Sequence, residues 1–200
     1  MSDLAEAIWE QIPPDAVPER FAARRDWLLA HVRPGMRVLD VGCGAGEFAT
    51  ALREAGAHPV GVDVAREALR RAAARDPALD LRRWEPGEPL PAEDASFDLA
   101  WAGEVLEHVV DLAPWLSEVR RVLRPGAALL VTTPHHGPGR MLALALDRRR
   151  FAEHFEPRSD HVRFFSPATL RELLEDLGFE VLQARPALRR STILCRARRP

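Results

Sequence analysis

Short apolar segments alternate with helix-like segments along most of the 200-residue chain, and this alternation constrains the fold more than any other feature. Five apolar runs predict strands: MRVLDV (36–41), PVGVDV (59–64), LDLRRW (79–84), SFDLAWA (96–102) and ALLVTT (128–133). Helices are predicted between them, over 46–55, 65–76 and 112–123. Such alternation is typical of an α/β fold with a mostly parallel sheet and helices on both faces.

The remaining segments complete a single-domain plan. Ser166-Pro167 predicts the start of another helix, and FEVLQA (179–184) and STILCR (191–196) predict an antiparallel strand pair. The plan has four parts: an N-terminal helical cap (1–33), a core with the first five strands (34–133), a lid-like insertion (134–165), and a C-terminal helix with the strand pair (166–200). In open α/β sheets the ligand lies beyond the carboxyl ends of the strands, where the insertion emerges.

Composition excludes several classes of protein. Apolar residues make up 46% and charged residues 29% of the chain, as in a globular protein. No apolar run has the roughly 18 residues of a membrane helix, and no secretory signal is expected at the acidic N-terminus, so the expected location is cytoplasmic. A net charge of −2 gives no basic field for nucleic acid. The composition predicts no particular oligomeric state.

The stretch VLDVGCGAGEF (38–48) places Gly42, Gly44 and Gly46 between a strand and a helix. Glycine permits positive φ and close approach of a ligand to the backbone, and the helix start offers N–H groups. No GK[ST] sequence follows, so a phosphate loop is excluded, and the spacing differs from the dinucleotide pattern G-x-G-x-x-G. The motif therefore indicates a ligand-binding loop of another kind.

Two aspartates end the first two strands. Asp63 lies seventeen residues after Gly46, where a carboxylate can bind both ribose hydroxyls; alternatively it is the N-cap of the following helix. Asp40 adjoins the glycines and could face an ammonium group. A ligand that carries a carboxylate, an ammonium group and a ribose, but no phosphate, suits this set of groups.

Four segments in this order, VLDVGCGAGEF, VGVDVA, FDLAWAGEVLEHV and VLRPGAALLVTTP, resemble class I S-adenosylmethionine-dependent methyltransferases. Within that superfamily, the chain is most similar to the small-molecule group that includes quinone-biosynthesis O-methyltransferases, over about residues 34 to 184. The resemblance implies a Rossmann-like seven-stranded sheet whose last strand is antiparallel. It also implies S-adenosylmethionine as cofactor and S-adenosylhomocysteine as product.

The resemblance assigns cofactor contacts to specific positions. Asp40 and the glycine loop surround the methionine part, Asp63 holds the ribose with Val64 beside the adenine, and the turn at Gly103 borders the methyl group. The family often has an acid near the adenine amino group, where this chain has Pro86, so Glu85, Glu88 or the backbone would substitute. The expected contacts are Asp40, Gly42, Cys43, Gly44, Gly46, Asp63, Val64, Glu85 and Gly103.

Histidines are the candidates for acceptor chemistry, because the chain contains no lysine or tyrosine. His108, in EVLEHV, either orients the turn or accepts a proton, and it would pair with Glu104 if the segment were helical. The histidines in the insertion either recognise or deprotonate the acceptor, face solvent, or bind a metal. No metal is predicted, because no two of them have a tight ligand spacing. The candidate catalytic residues are His108, His135, His154 and His161.

The favoured function is transfer of a methyl group by in-line displacement to an oxygen or nitrogen of a small-molecule acceptor. An NAD-type oxidoreductase is disfavoured by the glycine spacing, and a non-catalytic binding module by the intact glycines and Asp63. Methylation of nucleic acid or protein is a weaker variant. The cluster Arg148–Arg150 is either a solvated face or attracts an anionic acceptor or an acidic membrane surface.

Overall fold

A computed structural model describes residues 2–156 and 160–200. Seven strands form one sheet: β1 (Arg37–Val41), β2 (His58–Asp63), β3 (Asp80–Arg83), β4 (Phe97–Gly103), β5 (Leu123–Pro134), β6 (Glu180–Ala187) and β7 (Thr192–Arg198). Their order is β3-β2-β1-β4-β5-β7-β6. β7 is antiparallel to β5 and β6, and the other pairs are parallel. The predicted Rossmann-like sheet is confirmed.

Eight α-helices accompany the sheet in the described ranges: α1 (Ser2–Gln11), α2 (Phe21–Leu29), α3 (Glu47–Glu54), α4 (Arg66–Arg75), α5 (Leu112–Val122), α6 (Pro138–Leu146), α7 (Arg148–His154) and α8 (Pro167–Asp176). A short 3₁₀ turn spans Leu106–His108. None of the helices in the described part of the chain combines the length and apolar character needed to cross a bilayer.

Alternation along the strands divides the core into two layers, one on each face of the sheet. On β1, Val38 belongs to the layer that packs with α2 and α3, whereas Leu39 belongs to the layer that packs with α5 and α8. On β4, Trp101 and Ala102 divide between the layers in the same way, as the two-residue period of a strand requires. The sheet is therefore covered on both faces, and its carboxyl edge is left for a site.

One local prediction was wrong, and the condition for another was not met. β5 begins at Leu123 instead of residue 128, because Leu123 already pairs with Phe97 of β4, and the regular ladder resumes at Ala128 after an irregularity over residues 124–127. The segment EVLEHV is not an α-helix, since Glu104 has a φ of 59° and its N–H donates to the Thr132 carbonyl at 2.8 Å. This hydrogen bond continues the contact between β4 and β5, so Glu104 and His108 are not neighbours on one α-helix.

The N-terminal helix α1 is fixed to α4. The Glu6 carboxylate accepts hydrogen bonds from the N–H groups of Arg66 at 2.7 Å and Glu67 at 3.0 Å, which satisfies donors in the first turn of α4. Arg71 of α4 donates to the Ile12 carbonyl at 2.8 Å. These contacts hold α1 across the carboxyl ends of β1 and β2.

Candidate active site

A cavity of about 360 Å³ lies at the carboxyl edge of the sheet, with α1 as one wall. Three predicted cofactor residues line it: Gly42, Asp63 and Val64. Glu104 and His108, from the turn after β4, line the same space. The cavity therefore joins the strand ends that carry the glycine loop and Asp63 to the turn that carries EVLEHV.

The glycine loop is held by the protein's own hydrogen bonds. The N–H groups of Gly42 and Cys43 donate to the Val62 carbonyl at 2.8 and 3.0 Å, and Gly44 N–H donates to Asp63 Oδ2 at 2.9 Å. Gly44 has a φ of 54°, and a Cβ there would lie 2.9 Å from the Trp9 ring. Both the backbone conformation and the contact with α1 therefore require glycine at this position.

Cys43 lies beneath the loop. Its side chain is buried, and burial raises the pKa of the thiol well above its usual value. Gly61 of β2 leaves the space that it fills, since a Cβ at that glycine would lie 3.0 Å from the sulfur. Gly46, at the start of α3, packs against Ala72 of α4 in a similar way. These two residues hold the loop against the sheet and α4.

Asp63 is bound through both carboxylate oxygens. Oδ1 accepts from Ala65 N–H and Oδ2 from Gly44 N–H, each at 2.9 Å. Burial raises the pKa of this carboxyl, and the backbone donors oppose that effect. The N-cap of α4 is Ala65, with Glu6 bound to the next two N–H groups, so the N-cap alternative for Asp63 was wrong. A carboxylate oxygen has several acceptor sites, which leaves capacity for ribose hydroxyls.

Asp40 is almost fully buried at the end of β1, and its Oδ2 has no hydrogen-bond partner among the described residues. Its pKa is raised to about 8, first by burial and then by the charges of Asp63 and Glu47, while Arg24 opposes the rise. An orphaned buried carboxylate oxygen is costly without a partner. It fits the ammonium group that the sequence assigned to this position.

Arg24 of α2 is a functional candidate that the sequence reasoning missed. Its guanidinium is buried, donates from Nε to Thr132 Oγ1 at 3.1 Å, and lies over the rings of Phe48 and Trp101. Nη2 has no partner in the described part of the chain, although a Cβ at Gly103 would lie 2.6 Å from it. A buried guanidinium with an unused donor fits a carboxylate.

The sequence did carry a signal for Arg24. It lies four residues before the buried Leu28, on the face of α2 that packs against the sheet. A charged residue on an apolar helix face is rarely buried without a partner, so its position indicated a ligand or an internal ion pair.

The expected adenine end is lined by Val64, Trp84 and Pro86. Trp84 is fixed by a hydrogen bond from Nε1 to the Glu88 carbonyl at 2.9 Å. Glu85, the predicted substitute for the family acid, instead forms an ion pair with Arg83 at 2.5 Å and does not line the cavity in the described structure. The residues that face this end are therefore apolar.

Two acids lie in the turn after β4: Glu107, which is buried, and Glu104, which is half-buried. Glu104 lines the cavity, and Glu107 accepts a hydrogen bond from Thr133 Oγ1 at 2.9 Å. Burial raises the pKa of both carboxyls, and for Glu107 the charge of Glu104 adds to the rise. Each acid keeps one oxygen without a partner among the described residues. Glu104 therefore gives the cavity wall a group that can accept a hydrogen bond or a positive charge.

The four candidate histidines occupy different surroundings. His108 lines the cavity, with Nδ1 at 3.1 Å from the Asp160 carbonyl oxygen and 3.2 Å from Asp160 Oδ2. His161 contacts His108 edge to face, with ring centroids 4.8 Å apart. His135 and His154 are not among the residues that line the cavity in the described structure. His135 bonds to the Arg190 carbonyl at 2.9 Å, and His154 packs against Phe155.

Glu107, His108 and His161 each offer a ligand atom within 4.8 Å of the others. Carboxylate and imidazole groups are suitable ligands for a divalent cation. The spacing of the histidines along the chain does not reveal this set, because a tertiary contact brings His161 to the turn: Val162 N–H donates to the Glu107 carbonyl at 2.9 Å. Tertiary contacts create clusters that sequence spacing does not show.

The chain belongs to the S-adenosylmethionine-dependent methyltransferase family: a family model described as "Methyltransferase domain" matches residues 10–184. A Mycolicibacterium smegmatis protein named "Probable S-adenosylmethionine-dependent methyltransferase" is 37% identical over 156 residues, which cover 76% of this chain and 55% of that protein. A Hahella chejuensis ubiquinone biosynthesis O-methyltransferase is 34% identical over 158 residues, which cover 76% of this chain and 66% of that protein. This chain therefore spans only part of the length of these relatives.

The fold is similar to that of solved structures. A chain from a Haloferax volcanii complex that contains the Trm112 methyltransferase activator superposes with a TM-score of 0.80 at 21% identity, covering 98% of this chain and 97% of that chain. At this identity the likeness concerns the fold alone. The family membership implies S-adenosylmethionine as the cofactor, in agreement with the sequence prediction.

Proposed function

We propose that this protein transfers the methyl group of S-adenosylmethionine to an oxygen or nitrogen of a small-molecule acceptor. The observation that carries the proposal is one cavity whose lining includes Gly42 and Asp63 together with Glu104 and His108. Its size of about 360 Å³ is within the range of small-molecule sites. The ubiquinone biosynthesis O-methyltransferases among the relatives support an acceptor of this size.

The residues at and beside the strand ends fit the cofactor by chemistry. Arg24 would bind its carboxylate, Asp40 its ammonium group and Asp63 its ribose, while Val64 and Trp84 would flank its adenine. When bound, the cofactor supplies a methyl group activated by a positively charged sulfur. The protein's part is to orient the acceptor in line with that methyl group and to exclude water.

The cavity is largely apolar. Val105, Val109, Val110, Trp115 and Val162 line it, so a flat, weakly polar acceptor would lose little hydration on binding. Apolar walls also strengthen the electrostatic interactions of the few polar groups beside them, because they lower the local dielectric constant. The insertion supplies part of this wall, which supports its predicted lid-like role.

His108 is the proposed proton acceptor, and Asp160 is a positioning residue. An Nδ1–H that donates to Asp160 leaves Nε2 as the basic nitrogen, and His108 borders the cavity in which an acceptor hydroxyl would lie. The same arrangement of a carboxylate, an imidazole and a nucleophile activates hydroxyls in many enzymes. A base is required when the acceptor is a phenol or another hydroxyl compound.

The proposal is tested by methyl transfer to a panel of catechols and hydroxybenzoates. With an accepted substrate, His108→Gln should lower kcat roughly 10²–10⁴-fold, while S-adenosylhomocysteine affinity stays near that of the wild type. Asp160→Asn should lower kcat less and move the pH profile. His31→Gln is the matched control, because His31 lies on α2 with its Nδ1 bonded to the Trp27 carbonyl.

Equal loss in His108→Gln and His31→Gln would contradict the assignment of the base. Failure of the wild type to bind S-adenosylhomocysteine would contradict the proposed function itself. The roles of His135, His154 and His161 in acceptor turnover, the absence of a nucleic-acid partner and the cytoplasmic location stay predictions.

A further inference from the structure

The helices of the insertion expose an apolar surface. Neither α6 nor α7 has a buried residue. Leu142 and Leu146 lie one turn apart on α6 and are 63% and 79% exposed. The sequence of α6, PGRMLALAL, has no acidic residue. Single exposed leucines are common on proteins, but a group of them on one helix indicates a contact surface.

Exposed aromatic rings extend this surface toward the cavity. Phe151 of α7 packs against Phe155 with ring centroids 4.7 Å apart, and Phe155 packs against Phe164 at 5.7 Å. All three rings are more than two-fifths exposed. Phe164 lies two residues after Val162, which lines the cavity and is half exposed. The apolar surface is therefore continuous from α7 to the cavity mouth.

Arginines lie on the same two helices and next to the start of the insertion. Arg148, Arg149 and Arg150 begin α7. Arg190, in the turn between β6 and β7, is tied to the start of the insertion, because its carbonyl accepts a hydrogen bond from His135 Nδ1. We call the whole set the insertion surface. It consists of Leu142, Leu146, Phe151, Phe155 and Phe164 with Arg140, Arg148, Arg149, Arg150, Arg189 and Arg190.

Few of these arginines are neutralised. Among the described residues, Arg149 pairs with Glu153 and Arg150 with Asp147, and both arginine side chains remain largely exposed. No other arginine of the insertion surface forms an ion pair within the described ranges. The surface therefore combines exposed apolar groups with unbalanced positive charge.

We infer that the insertion surface docks onto an anionic lipid bilayer. The leucine and phenylalanine side chains enter the boundary between headgroups and acyl chains, and the arginines lie at the level of the lipid phosphates. A second copy of this chain is the poorer occupant, because it would place six arginines opposite six. Docking turns the cavity mouth toward the bilayer. The inference stands on the surface itself and does not rest on the proposed function.

The test is sedimentation of the full chain with two kinds of vesicle, phosphatidylcholine alone and phosphatidylcholine mixed with phosphatidylglycerol. We expect binding to the mixed vesicles that weakens at high salt. The double variant Leu142→Glu/Leu146→Glu should bind at least about tenfold more weakly. In the triple variant with Arg148, Arg149 and Arg150 changed to Gln, vesicle affinity should fall roughly fivefold per arginine. All five side chains are exposed, so these variants should fold, and circular dichroism checks this.

The matched controls carry the same changes elsewhere. Val17→Glu alters an exposed apolar residue outside the insertion surface, and Arg33→Gln/Arg66→Gln/Arg196→Gln removes three exposed arginines of other elements. Both should bind vesicles like the wild type. Three results would each overturn the inference. All variants could bind vesicles equally, or the protein could show no preference for anionic vesicles. The third result is a dimer that Leu142→Glu/Leu146→Glu abolishes, in a protein that does not bind vesicles.

Discussion

The helices α3 and α6 both follow a strand of the sheet at its carboxyl edge, yet they are built in opposite ways. α3 follows β1 and the glycine loop and buries five of its eight residues: Glu47, Phe48, Ala49, Ala51 and Leu52. α6 follows β5 and buries none of its nine. The edge of the sheet is the same, but only the first helix is fixed by the core.

This difference indicates where the molecule is constrained. A buried helix beside the glycine loop holds the loop in one conformation, as a site for a constant cofactor requires. Substitutions in an exposed helix cost little stability, which suits a surface that selects acceptors or partners. The cofactor edge and the insertion can be compared by substitutions of matched type in each.

The largest expected effect is that of Gly44→Val. A β-branched residue at a φ of 54°, with a Cβ 2.9 Å from the Trp9 ring, strains the loop by roughly 1–3 kcal/mol and displaces α1 from the cavity. We expect S-adenosylhomocysteine affinity, measured by calorimetry, to fall by more than about a hundredfold.

The matched change on the exposed side is Gly139→Val in α6. Apart from its chain neighbours and the backbone of its own helix, Gly139 has no heavy atom within 4 Å of its Cβ position, and its φ is not positive. Cofactor affinity should therefore stay at the wild-type value. If the two glycine variants bound equally well, the distinction between a fixed cofactor edge and an adaptable insertion would be wrong.

A second effect concerns Asp40. Its pKa of about 8 in the ligand-free protein means that it is mostly protonated at pH 7, whereas a bound ammonium group favours the charged form. Binding should therefore release a proton, and affinity should rise between pH 6 and pH 8 by up to about tenfold per pH unit. Calorimetry in buffers of different ionisation enthalpy measures both quantities.

Asp40→Asn should abolish this proton release. Asp76→Asn is the matched control, because Asp76 is also buried but has a pKa lowered by its hydrogen bond to Arg53 and stays charged over this range. The effect of rising pH on folding stability is opposite in sign to its effect on cofactor affinity. A raised carboxyl pKa stabilises the ligand-free fold at low pH, and that contribution is lost as the pH rises toward 8.

Asp63→Ala should have a smaller effect. The carboxylate would bind a ribose diol through charge-assisted hydrogen bonds, so its removal should cost roughly 1.5–3 kcal/mol, which is at least about tenfold in S-adenosylhomocysteine affinity. Asp80→Ala, on the neighbouring strand β3 and exposed, provides the control. Unchanged affinity in Asp63→Ala would remove the ribose assignment and leave Asp63 only its bonds to Gly44 and Ala65.

The sequence predicted the fold because most of its signals are local. Apolar runs fix the strands, the i, i+3, i+4 pattern fixes α5, and Ser166-Pro167 fixes the start of α8, whose serine side chain accepts from Thr169 N–H at 3.2 Å. The limit of β5 was missed because Pro125-Gly126 is a turn signal, whereas the strand starts before it with the pair of Leu123 and Phe97.

The candidate site was less predictable because it depends on contacts across long sequence distances. Arg24 reaches Thr132, and His108 reaches Asp160, and neither pair has a spacing motif. The i,i+4 pairing of Glu104 with His108 assumed a helix, which the positive φ of Glu104 excludes. Residues named through the loop motif, such as Gly42 and Asp63, do line the cavity, since a motif and its local backbone determine their positions.

The smallest expected effect is on stability and belongs to α6. Leu142→Ala/Leu146→Ala removes two exposed side chains that pack little against the rest of the chain. Each change should therefore alter the free energy of unfolding by no more than about 0.5 kcal/mol, as measured in urea. Leu52→Ala in α3 removes a fully buried leucine and should cost roughly 2–5 kcal/mol. A large destabilisation by the α6 variant would mean that these leucines support the fold rather than face a partner, and would remove the contrast between the two helices.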